Sequence, residues 1–240
     1  PKTYRTPKVE LKGLRKYQQG GMTQVSVIGD SQEFMSLRDY RPGDPLRAIH
    51  WRSYAKTGTP VVKEFHDEFF VRQGLILDTF QEDKNNVVFE EAVSVAASFC
   101  LTLPGQDALL DLMFIGDQAY RFTSGRGLGQ SENMLEVLAC TEACNNDSFS
   151  KLHELIPEYS NETSGMICVL LDWDKKRQEL IESIIRASIP VVVFLIIDGE
   201  NEPNIEHGPM ENHPERFIIL PSDNIQSSLD EASNLSLAKE

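Results

Sequence analysis

From residue 73 onward, short apolar runs alternate with longer amphipathic stretches. Apolar side chains from Val87 to Leu103 recur every three or four residues, which predicts a helix that ends before Pro104. The run from Pro190 to Ile197 is nearly continuous and rich in β-branched residues, as expected for a strand buried on both faces. The same patterns predict strands at 75–77, 108–115, 119–123, 166–171, 190–197 and 217–220, and helices at 87–103, 134–138 (with Ser131 as its cap), 149–159 and 175–187.

This alternation indicates an α/β fold with a mostly parallel, doubly wound sheet and helices on both faces. The segment at 119–123 is the exception, because the tight Gly116-Asp117 turn returns it antiparallel to the preceding strand. We predict this domain at residues 73–221. A small β-rich segment at 1–72 precedes it, and a polar tail at 222–240, with at most one weak helix, follows it.

Charge is distributed unevenly along the chain. Residues 1–72 contain 13 Lys and Arg against 8 Asp and Glu, a net charge of +5, whereas residues 73–240 contain 10 against 29, a net charge of −19. A basic segment before an acidic domain fits a position near an anionic membrane or an acidic partner, unless local ion pairs use up the charge. The total of −14 disfavours nucleic acid as a ligand of the main domain.

The sequence has no apolar run near the ~20 residues that a membrane-spanning helix needs. It begins at Pro1 without an initiating Met or a signal peptide, so we expect a fragment of a longer protein. The four cysteines lie in apolar segments and lack the spacing of zinc ligands, as expected for reduced thiols in the cytosol.

The predicted strand ends carry carboxylates but no recognisable catalytic set. Asp78, Asp172 and Asp198 each follow a predicted strand, at the edge where parallel sheets bind ligands. A phosphatase of the haloacid dehalogenase kind would need a second Asp two residues after Asp78, but Phe80 stands there. The chain also lacks a GxxxxGK[ST] phosphate loop and a GxSxG nucleophile elbow. We therefore expect a protein that is not an enzyme.

The densest motif of the chain begins at Leu37 and has the sequence LRDYRPGDPLRAIHWRSYAKTGTPVVKEF. It predicts a strand, a Pro42-Gly43 turn, a short helix over 46–52 capped by Asp44, and a returning strand at 61–65. Basic and aromatic side chains crowd this segment. Its candidate functional residues are Arg38, Tyr40, Pro42, Gly43, Asp44, Arg47, His50, Trp51, Arg52 and Lys56.

This motif resembles the signature of the bacterial domain-of-unknown-function family 58, and the predicted element order from Gly74 to about Leu220 agrees with that family. The resemblance implies a domain like the von Willebrand factor A module behind a β-rich segment. It also implies a protein anchored at the cytoplasmic face of the bacterial inner membrane through a segment absent from this chain. Family members are commonly encoded beside MoxR-type AAA+ ATPases, which implies a partner in assembly or maturation of an unknown client.

The resemblance implies one cofactor, the Mg²⁺ ion that the A module holds at its strand ends. Asp78 and Asp172 match the acidic ligands and Thr123 matches the threonine, but Phe80 and Glu82 stand at the two serine positions. Because a phenyl ring cannot bind a cation, we expect a degenerate site. We expect no Mg²⁺ binding tighter than ~1 mM.

Two functions are open for the basic and aromatic residues at 38–56. They form the contact surface of a non-catalytic protein-interaction module, or they bind nucleic acid or phosphate. The alternative to both is structural: Trp51 and the arginines would join the small segment to the acidic domain. In that case Trp51→Ala should cost ~3–5 kcal/mol of stability, whereas loss of a contact residue should leave the melting temperature unchanged.

Overall fold

The computed structural model describes residues 1–7, 9, 34–44, 46, 49–65, 71–81, 87–103, 108–115, 119–124, 128–144, 156, 163–199 and 205–234. Contacts divide the chain into two compact units. Tyr17–Phe69 form the small unit, and Pro1–Lys16 together with Phe70–Glu240 form the sheet unit. The first residues therefore group with the sheet unit, contrary to the prediction that placed all of 1–72 in one segment.

The small unit contains an antiparallel strand pair and one short helix. β1 (Phe34–Asp39) pairs with β2 (Val61–Phe65). α1 (Trp51–Thr57) precedes β2 and ends at Gly58, whose φ of 73° lies in the left-handed region. Glycine adopts this conformation without the steric cost of a Cβ atom, and the Gly58 N–H donates to the Tyr54 carbonyl at 2.9 Å. The returning strand predicted at 61–65 is thus present as β2.

The helix of this motif begins later than predicted. The pattern predicted a helix over 46–52 capped by Asp44, but α1 starts at Trp51. The Asp44 carboxylate instead accepts hydrogen bonds from the Arg41 backbone N–H at 2.8 Å and from the Arg38 guanidinium at 2.7 and 2.8 Å. Because a bidentate, charge-assisted contact with arginine is stronger than a helix cap, Asp44 closes the turn instead of starting the helix.

Six strands build the sheet unit: β3 (Val71–Leu77), β4 (Ala108–Ile115), β5 (Ala119–Ser124), β6 (Gly165–Leu170), β7 (Val191–Ile197) and β8 (Phe217–Pro221). Their order in the sheet is β5-β4-β3-β6-β7-β8, and every pair is parallel except β4 with β5. Counted within the sheet, this is the 3-2-1-4-5-6 order of doubly wound α/β folds. The predicted fold class and the antiparallel strand are confirmed.

Helices cover both faces of this sheet. On one face lie α2 (Val87–Thr102), α3 (Leu128–Ala139) and a C-terminal helix, α5 (Ile225–Asn234). Their buried residues share one apolar cluster with alternate residues of β3, such as Leu75 and Leu77. On the other face, α4 (Lys175–Arg186) packs against Ile76, Met166 and Val193. Successive residues of a strand point to opposite faces, so one short strand contributes to both cores.

Residues 1–7 form a strap along α2. The backbone N–H groups of Lys2 and Tyr4 donate to the hydroxyls of Ser94 and Ser98, at 3.2 and 2.8 Å. The carboxylate of Glu91, which is 5 % exposed, accepts from the Lys2 ammonium at 2.9 Å and from the Tyr4 hydroxyl. Burial, together with the contact to Glu91, raises the pKa of Tyr4. The strap therefore belongs to the fold of the sheet unit.

The predicted polar tail at 222–240 contains an ordered helix of the sheet unit. In α5, Ile225, Leu229 and Ala232 are buried at helical spacing. The strap contacts this helix too, because the Arg5 N–H donates to the Gln226 side chain at 2.9 Å. The prediction of a tail outside the domain is wrong for residues 225–234.

Two further helix predictions have different outcomes. α3 begins at Leu128, so Ser131 lies inside the helix and does not cap it. The helix predicted at 149–159 lies outside the described residues, apart from Ile156. No helix in the described part of the chain is long and apolar enough to cross a membrane.

Candidate functional site

The first half of the sequence motif builds a turn. The Arg38 guanidinium and the Arg41 N–H stabilise the charged form of Asp44, and the hydrogen bond to Arg38 is the main reason that its pKa falls to about 2. Gly43 has a φ of 107°, where an L-residue would be strained. The Tyr40 N–H donates to the carbonyl of Pro60 at 3.0 Å and joins this turn to the residue that precedes β2. Of the predicted site residues, Arg38, Tyr40 and Asp44 therefore make contacts that hold this turn in place.

His50 also has a local role. Its backbone N–H donates to the Val61 carbonyl at 2.9 Å, and its Nδ1 lies 2.7 Å from the Ser53 hydroxyl. A catalytic Ser–His pair needs a third group that orients the imidazole. Among the described residues, no carboxylate contacts His50. The predicted site residue Arg47 lies outside the described residues.

The second half of the motif is exposed on α1. No residue of this helix is buried, and Trp51 and Tyr54 are 60 % and 40 % exposed. Their rings pack edge to face, with centroids 6.1 Å apart. Arg52 and Lys56 are exposed one turn apart on the same helix. We call Trp51, Arg52, Tyr54 and Lys56 the α1 surface.

Exposed apolar side chains are concentrated in the small unit. Of the seven large hydrophobic residues that are exposed among the described residues, four lie there: Leu37, Leu46, Trp51 and Tyr54. In the same segment Ile49 is buried, at 7 % exposed. Within the small unit, the Trp51 ring is thus not part of a core.

A second polar cluster lies at the carboxyl edge of the parallel strands. Asp78 follows β3 and is fully buried. Its carboxylate accepts hydrogen bonds from Nε of Arg177 at 2.5 Å, from the Leu171 N–H at 3.1 Å and from the Phe80 N–H at 3.0 Å. Full burial raises the pKa of Asp78, and the guanidinium and the two N–H groups oppose this by stabilising the carboxylate.

Arg177, in the first turn of α4, connects the loops at this edge. Its other nitrogens donate to the Phe80 carbonyl at 3.0 Å, pair with Asp174 at 3.0 Å and approach Asp172 at 3.9 Å. Burial alone would lower the pKa of Arg177, but the contacts with Asp78 and the other carboxylates outweigh it and raise the pKa. Asp78 and Asp172 are thus brought together as predicted, and they share an arginine.

Thr123 lies level with the middle of β3, well away from Asp78 at the carboxyl edge. Its hydroxyl donates to the Asp111 carboxylate at 2.5 Å, and Asp111 is paired across the strands with Gly74. Gly74 lies four residues before Asp78, or roughly 13 Å along β3 at ~3.3 Å per residue. The prediction of Thr123 as a ligand beside Asp78 is wrong, because an antiparallel strand ends where its parallel neighbours begin.

Asp111 itself was not among the predicted site residues. Its side chain is 1 % exposed and contacts Arg72 at 2.5 Å and Arg121 at 3.3 Å. Burial would raise its pKa, but the hydrogen bonds from Arg72 and Thr123 outweigh burial and hold the pKa of Asp111 below its usual value. The signal in the sequence was a carboxylate in the middle of an otherwise apolar strand.

The residues at the carboxyl edge do not fit a bound Mg²⁺ ion. The Asp78 carboxylate is already held by a guanidinium, an apolar ring stands at position 80, and Thr123 lies roughly four residues' length of strand away from Asp78. Glu82 lies outside the described residues. In the described part of the chain, no group of three His, Cys, Asp or Glu side chains is arranged to hold a metal ion.

A cleft of about 440 Å³ lies beside this edge, at the ends of β6 and β7. Leu195, Ile197 and Ile205 contribute apolar walls, and the third predicted strand-end carboxylate, Asp198, lies on its exposed rim. The indole N–H of Trp173, another lining residue, donates to the Glu206 carbonyl at 2.9 Å.

The six-stranded order with helices on both faces defines this chain as a doubly wound, mostly parallel α/β protein with an added antiparallel strand pair. It belongs to the family described as "Protein of unknown function DUF58", whose sequence profile matches residues 36–188. The resemblance inferred from the motif at 37–65 is confirmed.

Similarity to individual proteins covers different shares of the chain. The Uncharacterized protein YeaD of Bacillus subtilis (strain 168) is 30 % identical over 138 residues, which are 57 % of this chain and 34 % of that protein. The chain thus spans about a third of the length of that relative.

Solved structures that resemble the chain include the manganese-loaded Plasmodium vivax TRAP protein, with a TM-score of 0.43 and 11 % identity over 69 % of this chain and 71 % of that one. The SpRpn10 VWA domain has a TM-score of 0.44 and 12 % identity over 71 % of this chain and 99 % of its own. The strand order given above, not these alignments, establishes the fold class.

Proposed function

We propose that this chain is a non-catalytic protein-interaction module that binds its partner through the α1 surface. The partner that we propose is an AAA+ ATPase of the MoxR type, at the cytoplasmic face of the bacterial inner membrane, and the membrane anchor lies outside this chain. The module then acts in assembly or maturation of a client protein. The exposure of Trp51 beside Tyr54 is the observation that carries this proposal.

The composition of the α1 surface supports binding to a protein. Trp, Tyr and Arg are the side chains most often found at the energetic centre of protein interfaces. The two aromatic side chains bury a large area at a small entropic cost. A soluble domain gains nothing for its own core from a tryptophan that is 60 % exposed. Arg52 and Lys56 add positive charge, which favours an acidic surface on the partner.

The contacts of the candidate catalytic groups support a non-catalytic role. Asp78 is fully buried and its two oxygens accept hydrogen bonds from Arg177, Phe80 and Leu171. The His50 imidazole contacts Ser53 within the same helical turn. Neither arrangement leaves an exposed nucleophile beside an oriented base, which acid–base or nucleophilic catalysis would require.

The first prediction tests the α1 surface. We expect Trp51→Ala to change the free energy of unfolding by less than about 0.5 kcal/mol, because the ring is exposed. We expect the same variant to weaken partner binding roughly 30-fold, since truncating an interface anchor costs about 2 kcal/mol or more. The measurement is a pull-down of the ATPase by the full-length, membrane-anchored protein, with and without ATP, beside a thermal melt of this chain.

Leu101→Ala is the matched control, because Leu101 is 44 % exposed on α2 of the sheet unit. It should leave both stability and binding unchanged. Full binding by a folded Trp51→Ala variant would contradict the proposal, and a large drop in its melting temperature would restore the structural interpretation. Salt-dependent binding of a single-stranded oligonucleotide, lost in an Arg52→Ala/Lys56→Ala variant, would favour nucleic acid as the ligand instead.

A further inference from the structure

The carboxyl edge of the sheet contains a positive charge that belongs to the chain itself. Arg177 is 7 % exposed, and its guanidinium lies among the carboxylates of Asp78, Asp174 and Asp172 and the carbonyl of Phe80. All of these groups contact the guanidinium through oxygen atoms, and oxygen is also the ligand that a hard divalent cation binds. The edge therefore already has a cation among the oxygens that could otherwise bind one.

We propose that the Arg177 guanidinium replaces a divalent metal at this edge, so that the sheet unit folds and binds its partner without one. The part of this proposal that concerns the partner rests on the proposed function. A guanidinium is planar and donates through five N–H groups, so it can join three loops at once. Here it joins the loop after β3, the loop after β6 and the first turn of α4.

The contacts of Asp78 explain why a metal does not compete. A cation would have to displace Nε of Arg177 from a distance of 2.5 Å and leave this buried guanidinium without its carboxylate. Separating a buried ion pair is costly, because the remaining charge is desolvated. A metal at this edge would also offer an open position to a carboxylate of the partner, whereas Arg177 is enclosed. The proposal therefore excludes a partner whose carboxylate binds to a metal at this edge.

The test compares thermal melts of the purified chain in EDTA, in Mg²⁺ and in Mn²⁺, at millimolar concentration. For the wild type we expect the same melting temperature in all three. Arg177→Met removes the positive charge but keeps an apolar side chain of similar length. We expect this variant to melt at a lower temperature in EDTA and to regain part of the loss in Mn²⁺, since the carboxylates of Asp78 and Asp174 can then share the metal.

Two further variants keep the test decisive. Arg177→Lys retains a positive charge and should show a smaller loss and no response to Mn²⁺. Asp78→Asn/Arg177→Met should lose the Mn²⁺ response and should melt above the temperature expected from adding the two single effects. A melting temperature of the wild type that rises in Mn²⁺ or falls in EDTA would overturn the proposal. The proposal would also be overturned if the effects of Asp78→Asn and Arg177→Met on the melting temperature were strictly additive and Arg177→Met did not respond to Mn²⁺. None of these measurements involves the partner, so the proposed function can fail independently.

Discussion

Replacing Asp111 by alanine should lower the free energy of unfolding of the sheet unit by about 3 kcal/mol, as expected when one partner of a buried ion pair is removed. The carboxylate is 1 % exposed, and it contacts Arg72, which is itself only 12 % exposed, at 2.5 Å. It also accepts a hydrogen bond from Thr123, on the neighbouring strand β5. The variant would leave the Arg72 guanidinium desolvated without this carboxylate. Equilibrium unfolding in urea measures the loss as a lower midpoint with an unchanged slope.

The pH dependence of stability provides the control for Asp111. Its pKa is lowered in the folded protein relative to about 3.9 in an unfolded chain. The stabilisation is therefore fully present above pH ~4 and is lost as the pH falls below that value. An Asp111→Asn variant cannot titrate at this position, so its stability should fall less steeply in acid. Equal slopes for the variant and the wild type, or a loss under 1 kcal/mol for Asp111→Ala, would contradict this account.

Replacing Phe194 by alanine should cost about 3–5 kcal/mol, which is the usual range for a buried phenylalanine. Phe194 lies in the middle of β7, is fully buried, and packs against Phe99 of α2 with ring centroids 5.0 Å apart. The truncation would leave a cavity between the sheet and its central helix that neighbouring side chains fill only in part. The urea midpoint again measures the effect.

The matched control for this position is Phe194→Leu, which keeps most of the apolar volume and should cost less than about 1.5 kcal/mol. A third variant, Leu101→Ala, truncates an exposed residue of the same helix, α2, and should be nearly neutral. If Phe194→Ala cost no more than Phe194→Leu, the packing between β7 and α2 described above would be wrong.

The sequence predicted the sheet well because its strands are short, apolar and separated by strong turn signals. β4 begins and ends where the pattern placed it, at Ala108 and Ile115. The tight turn at Gly116-Asp117 also predicted the reversed direction of β5, which the pairing of Asp111 with Thr123 confirms. Local pattern suffices for such features because periodicity and turn chemistry act within a few residues.

The candidate site was harder to predict because its contacts join distant parts of the chain. Arg177 lies 99 residues after Asp78, and nothing in the local pattern indicates that one would hold the other. For Thr123 the reversal of β5 was predicted, but not its consequence, which is that Thr123 lies level with the middle of the sheet and away from Asp78. For Trp51 the sequence left an exposed contact surface and a structural role both open, because local pattern does not show which face of a short helix is covered.

The end of the chain was misjudged for a different reason. Ile225, Leu229 and Ala232 have the spacing of a helix with one buried face, but the polar residues between them suggested a tail. A narrow apolar stripe is enough when a helix packs at the side of a sheet and contributes few residues to the core. Tyr4 of the strap and Val9 just after it also reach that core, from a segment with no periodic signal.

The strap has a consequence for the order in which the protein folds during synthesis. Residues 1–7 are made before the rest of the sheet unit, and the hydroxyls that bind Lys2 and Tyr4 follow 92 and 94 residues later. The side chain of Gln226, which binds the Arg5 backbone, follows 221 residues later. Folding during translation proceeds from the N-terminus, and contacts this distant close slowly. Residues 1–7 are therefore among the last parts of the sheet unit to reach their final positions, and the strap closes only when nearly the whole sheet unit has been made.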